Sequence, residues 1–132
     1  MVKTKMEGSG FQVFHNSKEW RIAVHSYEEE VNGLSSFRQW GSHLTSEEAF
    51  VLMEGRAWLA TSREGKEDDD FEIHRLEKGT LFLVEQAEKH AILTDVGASV
   101  LIIENRDMSE SVNTPLPEGV IRSVKEAWLK EQ

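Results

Sequence analysis

Apolar residues in this chain come in short runs, and clusters of Gly, Asp, Ser and Glu interrupt them at intervals of about ten residues. A helical chain needs longer stretches at 3.6-residue spacing, so this rhythm predicts an all-β fold. Strands are expected near residues 11–14, 20–27, 37–43, 49–53, 56–61, 71–76, 81–84, 90–94 and 99–104. Residues 62–70 (SREGKEDDD) read as a polar hairpin tip. Their Asp run lacks the ligand spacing of a calcium loop, so a solvated loop is expected. Residues 105–119 carry Pro115 and Pro117 and read as a connection.

Beyond that connection, Val120, Val124 and Trp128, joined by Ile121 and Ala127, put apolar groups on one side of a terminal helix over about 117–131. Pro117 suits its first turn, where a missing N–H costs nothing. Packing on the β core is the expected role. At 132 residues the chain fits one domain, with the β core at about 20–105.

With no cysteine, disulfides, thiolate catalysis and Cys-ligated metals are excluded. The first ten residues have no apolar core of the signal-peptide kind, and no apolar run is long enough for a bilayer. A cytoplasmic protein without a membrane partner is therefore expected. A net charge of −9 repels phosphate backbones, and no basic stripe offsets it, so nucleic acid is not an expected partner.

Residues 45–61 read two ways. Thr45-Ser46-Glu47-Glu48 matches a helix capping box, and apolar residues from Ala49 to Ala60 fit either helical or strand spacing. Glu54-Gly55, however, is a turn signal between two runs of hairpin length.

The stretch His43-Leu-Thr-Ser-Glu-Glu48-Ala-Phe-Val-Leu-Met-Glu-Gly55 resembles the first motif of the cupin superfamily: His-X-His, three or four residues, Glu, six residues, Gly. Gly79 follows Gly55 after a gap of 23 residues, and His90 follows Gly79 at the spacing of the second cupin motif. The resemblance covers residues 43 to about 94 and, with neighbouring strands, most of the chain. It implies a cupin-type double-stranded β-helix, or jelly roll, with a short C-terminal helix, and it favours the hairpin for residues 45–61. The departures are specific. Gly41 stands where the motif has its first His, Glu85 and Ala87 where it has Pro and Gly, and Thr94 where it has a final Asn.

Family members with a complete motif hold a divalent metal through three His and one Glu. The resemblance thus implies His43, Glu48 and His90 as surviving ligands for Fe, Mn, Ni or Zn, with no organic cofactor. On a strand, alternate residues share a face, so Gln39, Gly41 and His43 line one side. Gln39 is a candidate fourth ligand or hydrogen-bonding group for a bound molecule. Two His and a carboxylate with open positions suit non-haem iron and catalytic zinc. Metal-assisted chemistry on a small organic molecule, of the oxygenase, isomerase, epimerase or lyase kind, is one expectation. A non-catalytic ligand-binding or sensor barrel without metal is the other. His15, His25 and His74 read as ordinary hydrogen-bonded histidines, and the four tryptophans as core or interface. The runs at 49–53, 81–84 and 100–103 are apolar on both strand faces, so a second subunit is expected to cover one of them in a homodimer.

Overall fold

The computed structural model describes residues 1–63 and 70–132. The expected hairpin tip falls mostly on 64–69, outside the described residues. Ten strands form: β1 (Gly10–Asn16), β2 (Trp20–Ser26), β3 (Gln39–His43), β4 (Glu48–Glu54), β5 (Ala57–Ser62), β6 (Glu72–Arg75), β7 (Leu81–Val84), β8 (Lys89–Thr94), β9 (Ser99–Asn105) and β10 (Ser111–Pro115). A four-residue helix, α1 (Glu29–Asn32), and a 3-10 turn (Leu34–Ser36) join β2 to β3, and α2 (Glu118–Leu129) ends the fold. The first sheet runs β1-β2-β9-β4-β7 and the second β10-β3-β8-β5-β6, all antiparallel. This is the two-sheet, all-β architecture with a C-terminal helix that the resemblance implied. No helix among the described residues is long and apolar enough to cross a membrane.

Residues 45–61 form the β4–β5 hairpin and not a helix. Gly55 decides the matter locally. Its φ is +74°, and a Cβ there would come 2.6 Å from Ala98 Cα, so only glycine lets the hairpin turn against the neighbouring loop.

Two apolar layers hold the strands. Between the sheets, Ala23, Phe50, Leu52, Leu59, Val100 and Ile102 pack together. Outside the second sheet, Trp40, Trp58 and Leu93 pack against Val120 and Val124 of α2, which confirms the expected role of the helix. Trp40 and Trp58 are therefore core, whereas Trp20 is exposed.

Two details differ from expectation. β3 starts at Gln39, because Phe37 closes the 3-10 turn and packs with the layer under α2. The connection at 105–119 contains β10, a polar edge strand paired with β3. Among the described residues, the outer face of the first sheet carries the uncharged cross-strand rows Leu83–Ala49–Ile103–Ile22 and Leu81–Val51–Leu101–Val24, in which Val24 is buried and Leu81 is 62% exposed.

Candidate metal centre and cavity

Strand parity sends Glu48, Phe50 and Leu52 of β4 inward, where each is buried. The second sheet supplies His43 from β3 and His90 from β8. Their ligand atoms and one Glu48 oxygen lie within 4.8 Å of one another. The sequence-predicted triad thus converges. Glu48 Oε1 lies 2.5 Å from His43 Nε2 and 3.3 Å from His90 Nε2, yet it is buried without an aligned N–H donor. Three donor atoms crowd one point without in-line hydrogen bonds between them, an arrangement that fits a shared cation.

The flanking bonds agree with this. His90 Nδ1 lies 3.2 Å from the Glu88 carbonyl oxygen, which can only accept. A neutral His90 therefore carries its proton on Nδ1 and turns the Nε2 lone pair toward Glu48. A carbonyl holding the second ring nitrogen is a usual support for a metal-binding imidazole. His43 Nδ1 is held by Ser111 Oγ at 2.8 Å, a contact supplied by β10. A lone pair facing a carboxylate repels it unless a proton or a cation lies between them.

Titration reflects that tension. Burial pushes Glu48 up, but the two imidazoles outweigh it and bring its carboxyl down to about 2. Burial likewise pulls His90 down, and the Glu48 carboxylate overcomes this to raise it. Without a cation, a proton shared among the three groups is the alternative occupant.

The triad opens into a cavity of about 770 Å³, within the usual size of a small-molecule site. Gln39 lines it. Gly41 faces the triad, paired with His90 on one side and Asn113 on the other. His15 and His74 are ordinary, bonded to Ser17 and Thr61. His25 is not, for although hydrogen-bonded to Asn32 it lines the cavity.

The sequence reading also missed a row of charge. Glu48 pairs across the ladder with Glu104, and Glu104 with Arg21, so the three project inward side by side. Arg21 Nε donates to Glu104 Oε2 and its guanidinium ion-pairs with the same oxygen. Burial and then the neighbouring Glu48 raise the Glu104 carboxyl, against the pull of Arg21. The available signal was parity: Glu104 continues the inward set Val100 and Ile102, and Arg21 shares its face with Ala23 and His25.

No family model and no curated protein matches this chain. Among solved structures, a cupin-2 domain protein from Shewanella frigidimarina is similar over 76% of this chain and 85% of its own, at 18% identity and a TM-score of 0.52. The DMSP lyase DddQ from Ruegeria pomeroyi is similar over 80% of this chain and 51% of its own, at 16% identity and a TM-score of 0.53. The Fe(II) form of HppE is similar over 72% and 48% respectively, at 15% identity and a TM-score of 0.51. At these identities the likeness speaks to the fold alone.

Proposed function

We propose that this cupin-fold chain is a small cytoplasmic metal-binding protein that holds a divalent cation through His43, Glu48 and His90 and admits a small organic molecule beside it. The crowding of two imidazole nitrogens on Glu48 Oε1, with no aligned hydrogen bond to satisfy it, carries this reading. The chemistry of the donors supports Fe(II), Mn(II), Ni(II) or Zn(II). Two cupin-fold neighbours, a lyase and an Fe(II)-bearing protein, are compatible with it. When bound, such a cation would act as a Lewis acid on an oxygen of the organic molecule. The chain's own residues bind and orient: Gln39, Asn113 and Ser111 offer polar groups at the cavity wall, and Phe50 and Ile92 exclude water from part of it.

The test is elemental analysis of tag-free protein purified without chelators, followed by thermal unfolding of stripped and reloaded samples. About one equivalent of a transition metal, with a melting temperature that rises on reloading, is expected. Protein that is metal-free and indifferent to all four ions would leave the second reading, a metal-free ligand-binding barrel. Gly41 favours that second reading, since it removes the fourth ligand that the resemblance implies.

The uncharged outer face of the first sheet supports a two-fold homodimer. Two copies carrying −9 each repel at long range, and an uncharged apolar face is where they can meet.

A further inference from the structure

His25 differs from the other cavity histidines in what it can offer a ligand. Its Nδ1 lies 3.1 Å from Asn32 Nδ2. Asn32 is 1% exposed, and its amide can face only one way. Oδ1 accepts from the Glu28 backbone N–H at 2.9 Å and from Thr94 Oγ1 at 2.7 Å. Nδ2 donates to the Ser26 carbonyl at 2.9 Å, and its remaining proton points to His25. Swapping oxygen and nitrogen would set a carbonyl against a carbonyl and an amide N–H against an N–H, losing two bonds at once. His25 Nδ1 must therefore accept, and a neutral ring then carries its proton on Nε2. Burial, only partly offset by Glu48, brings His25 down to about 4, so the ring is neutral near pH 7.

That Nε2–H has no hydrogen-bond partner among the described residues, and it is not among the atoms sealed from solvent. It is an unspent donor in the cavity wall. Close by, the Phe11 ring lies 4.9 Å from the His25 ring and 5.5 Å from the Arg21 guanidinium carbon. A fixed donor and a cation thus share one wall with an aromatic surface.

The charges of the cavity narrow the ligand. Arg21 and Arg38 balance Glu48 and Glu104 among its lining residues. On the metal reading above, a divalent cation leaves a net excess of two positive charges, which an anionic ligand would offset. Phosphate sites are built from helix N-termini or clustered backbone N–H groups with free cations. Here the cations are Arg21, already paired with Glu104, and Arg38, whose guanidinium donates to the Leu34 and Phe37 carbonyls, and with a single neutral N–H beside them they are a better match to a weaker, planar anion.

We propose that the cavity takes a small organic carboxylate, and that His25 donates its Nε2–H to one of the carboxylate oxygens. The proposal rests on the metal reading only for the charge count; the donor itself does not depend on a cation.

Pyruvate and succinate serve as probes, with acetamide and inorganic phosphate as controls. Wild type, His25→Leu and His25→Gln are each compared after stripping with 1,10-phenanthroline and dialysis, and again with added Zn(II). Binding is read by ligand-detected NMR and calorimetry. Wild type should bind at least one carboxylate in preference to both controls. His25→Leu should weaken that binding about tenfold, and His25→Gln, which keeps an N–H donor, should recover part of the loss. In wild-type protein, nitrogen-detected imidazole spectra should show His25 as the Nε2–H form, with that proton shifting on carboxylate addition. This readout holds even where a variant fails to fold. Failure of all four ions to raise the melting temperature would overturn the metal reading alone, and the stripped samples would still decide the carboxylate. No carboxylate binding in either state, tighter binding of phosphate, or a His25 proton indifferent to the probes would overturn the proposal.

Discussion

Gly41 sits directly across the β3–β8 ladder from His90, and a Cβ built on it would lie 3.8 Å from His90 Nε2 and 3.7 Å from Asn113 Oδ1. Those are ordinary contact distances, and Gly41 does not have the positive φ that resists a side chain. The position that carries a ligand in the complete cupin motif is thus open in space as well as vacant in sequence. Gly41→His is expected to fold and to tighten Zn(II) or Ni(II) binding by at least about tenfold through a fourth ligand. Competition against a calibrated chelator checks this, and unchanged affinity would mean that the ring cannot reach the other three.

Glu48→Gln separates a metal centre from a relic. If a cation uses this site, the amide loses the charge that favours it, and the ion-dependent rise in melting temperature should shrink or vanish. If a shared proton is the occupant, the variant removes an incompletely satisfied buried carboxylate. Its stability should then equal or exceed that of wild type. Melting curves of both proteins, stripped and with each of the four ions, distinguish the cases.

The pH dependence of stripped protein should reveal His25. Its folded value of about 4 lies below the ordinary 6.5, so below pH 6.5 the unfolded chain takes a proton that the folded chain refuses. The stabilising effect is complete above pH 6.5 and is lost as pH falls toward 4, by an amount on the order of 3 kcal/mol. His90, raised by Glu48, keeps its contribution throughout this window, and the lowered Glu48 keeps its own until below 4.5. Glu104, raised, works in the opposite sense, so the comparison must be internal. Urea unfolding between pH 7 and 4.5 should show a shallower profile for His25→Gln than for wild type.

Ala87 is the one described non-glycine residue at positive φ, +67°, and it occupies the place of a motif glycine. It sits in the turn closed by Glu88 N–H to the Glu85 carbonyl, and its own N–H holds the His43 carbonyl at 2.9 Å. A left-handed conformation costs a side-chain-bearing residue about 1–2 kcal/mol, part of which glycine gives back as entropy. Ala87→Gly should therefore stabilise the protein by about 0.5–1 kcal/mol. Chemical denaturation measures it, and a destabilised variant would refute the strain.

Assembly is tested at Ile103, in the middle of the uncharged outer face and 42% exposed. Wild type should sediment as a dimer at micromolar concentration and Ile103→Asp as a folded monomer. A monomeric wild type would refute the dimer.

Much of the fold was legible because its strands obey one rule. Glu48, Phe50 and Leu52 alternate with less buried neighbours, and the same parity carries His43 and His90 inward. β10 escaped because Ser111-Val-Asn-Thr-Pro115 is a polar edge strand whose order comes from pairing with β3, not from an apolar pattern. The role of His25 escaped for another reason. Asn32 lies only seven positions further on, but the bonds that orient it come from Glu28, Ser26 and the distant Thr94. No local pattern encodes a tautomer assembled from three segments.

The two sheets are unequally protected. Within one subunit the second is covered on both faces, by the inter-sheet core and by α2, whereas the outer face of the first leaves Leu81, Leu83 and Ile103 exposed. In the monomeric Ile103→Asp variant, where no second subunit covers that face, backbone amides of β5 and β8 should therefore exchange with solvent more slowly than those of β4 and β9. His43 and His90 are anchored in the slow sheet and Glu48 in the fast one. Whatever joins these three side chains, proton or cation, acts as a clamp between a rigid half and a breathing half. Its presence would be felt most, as slowed exchange, along β4 rather than at the histidines.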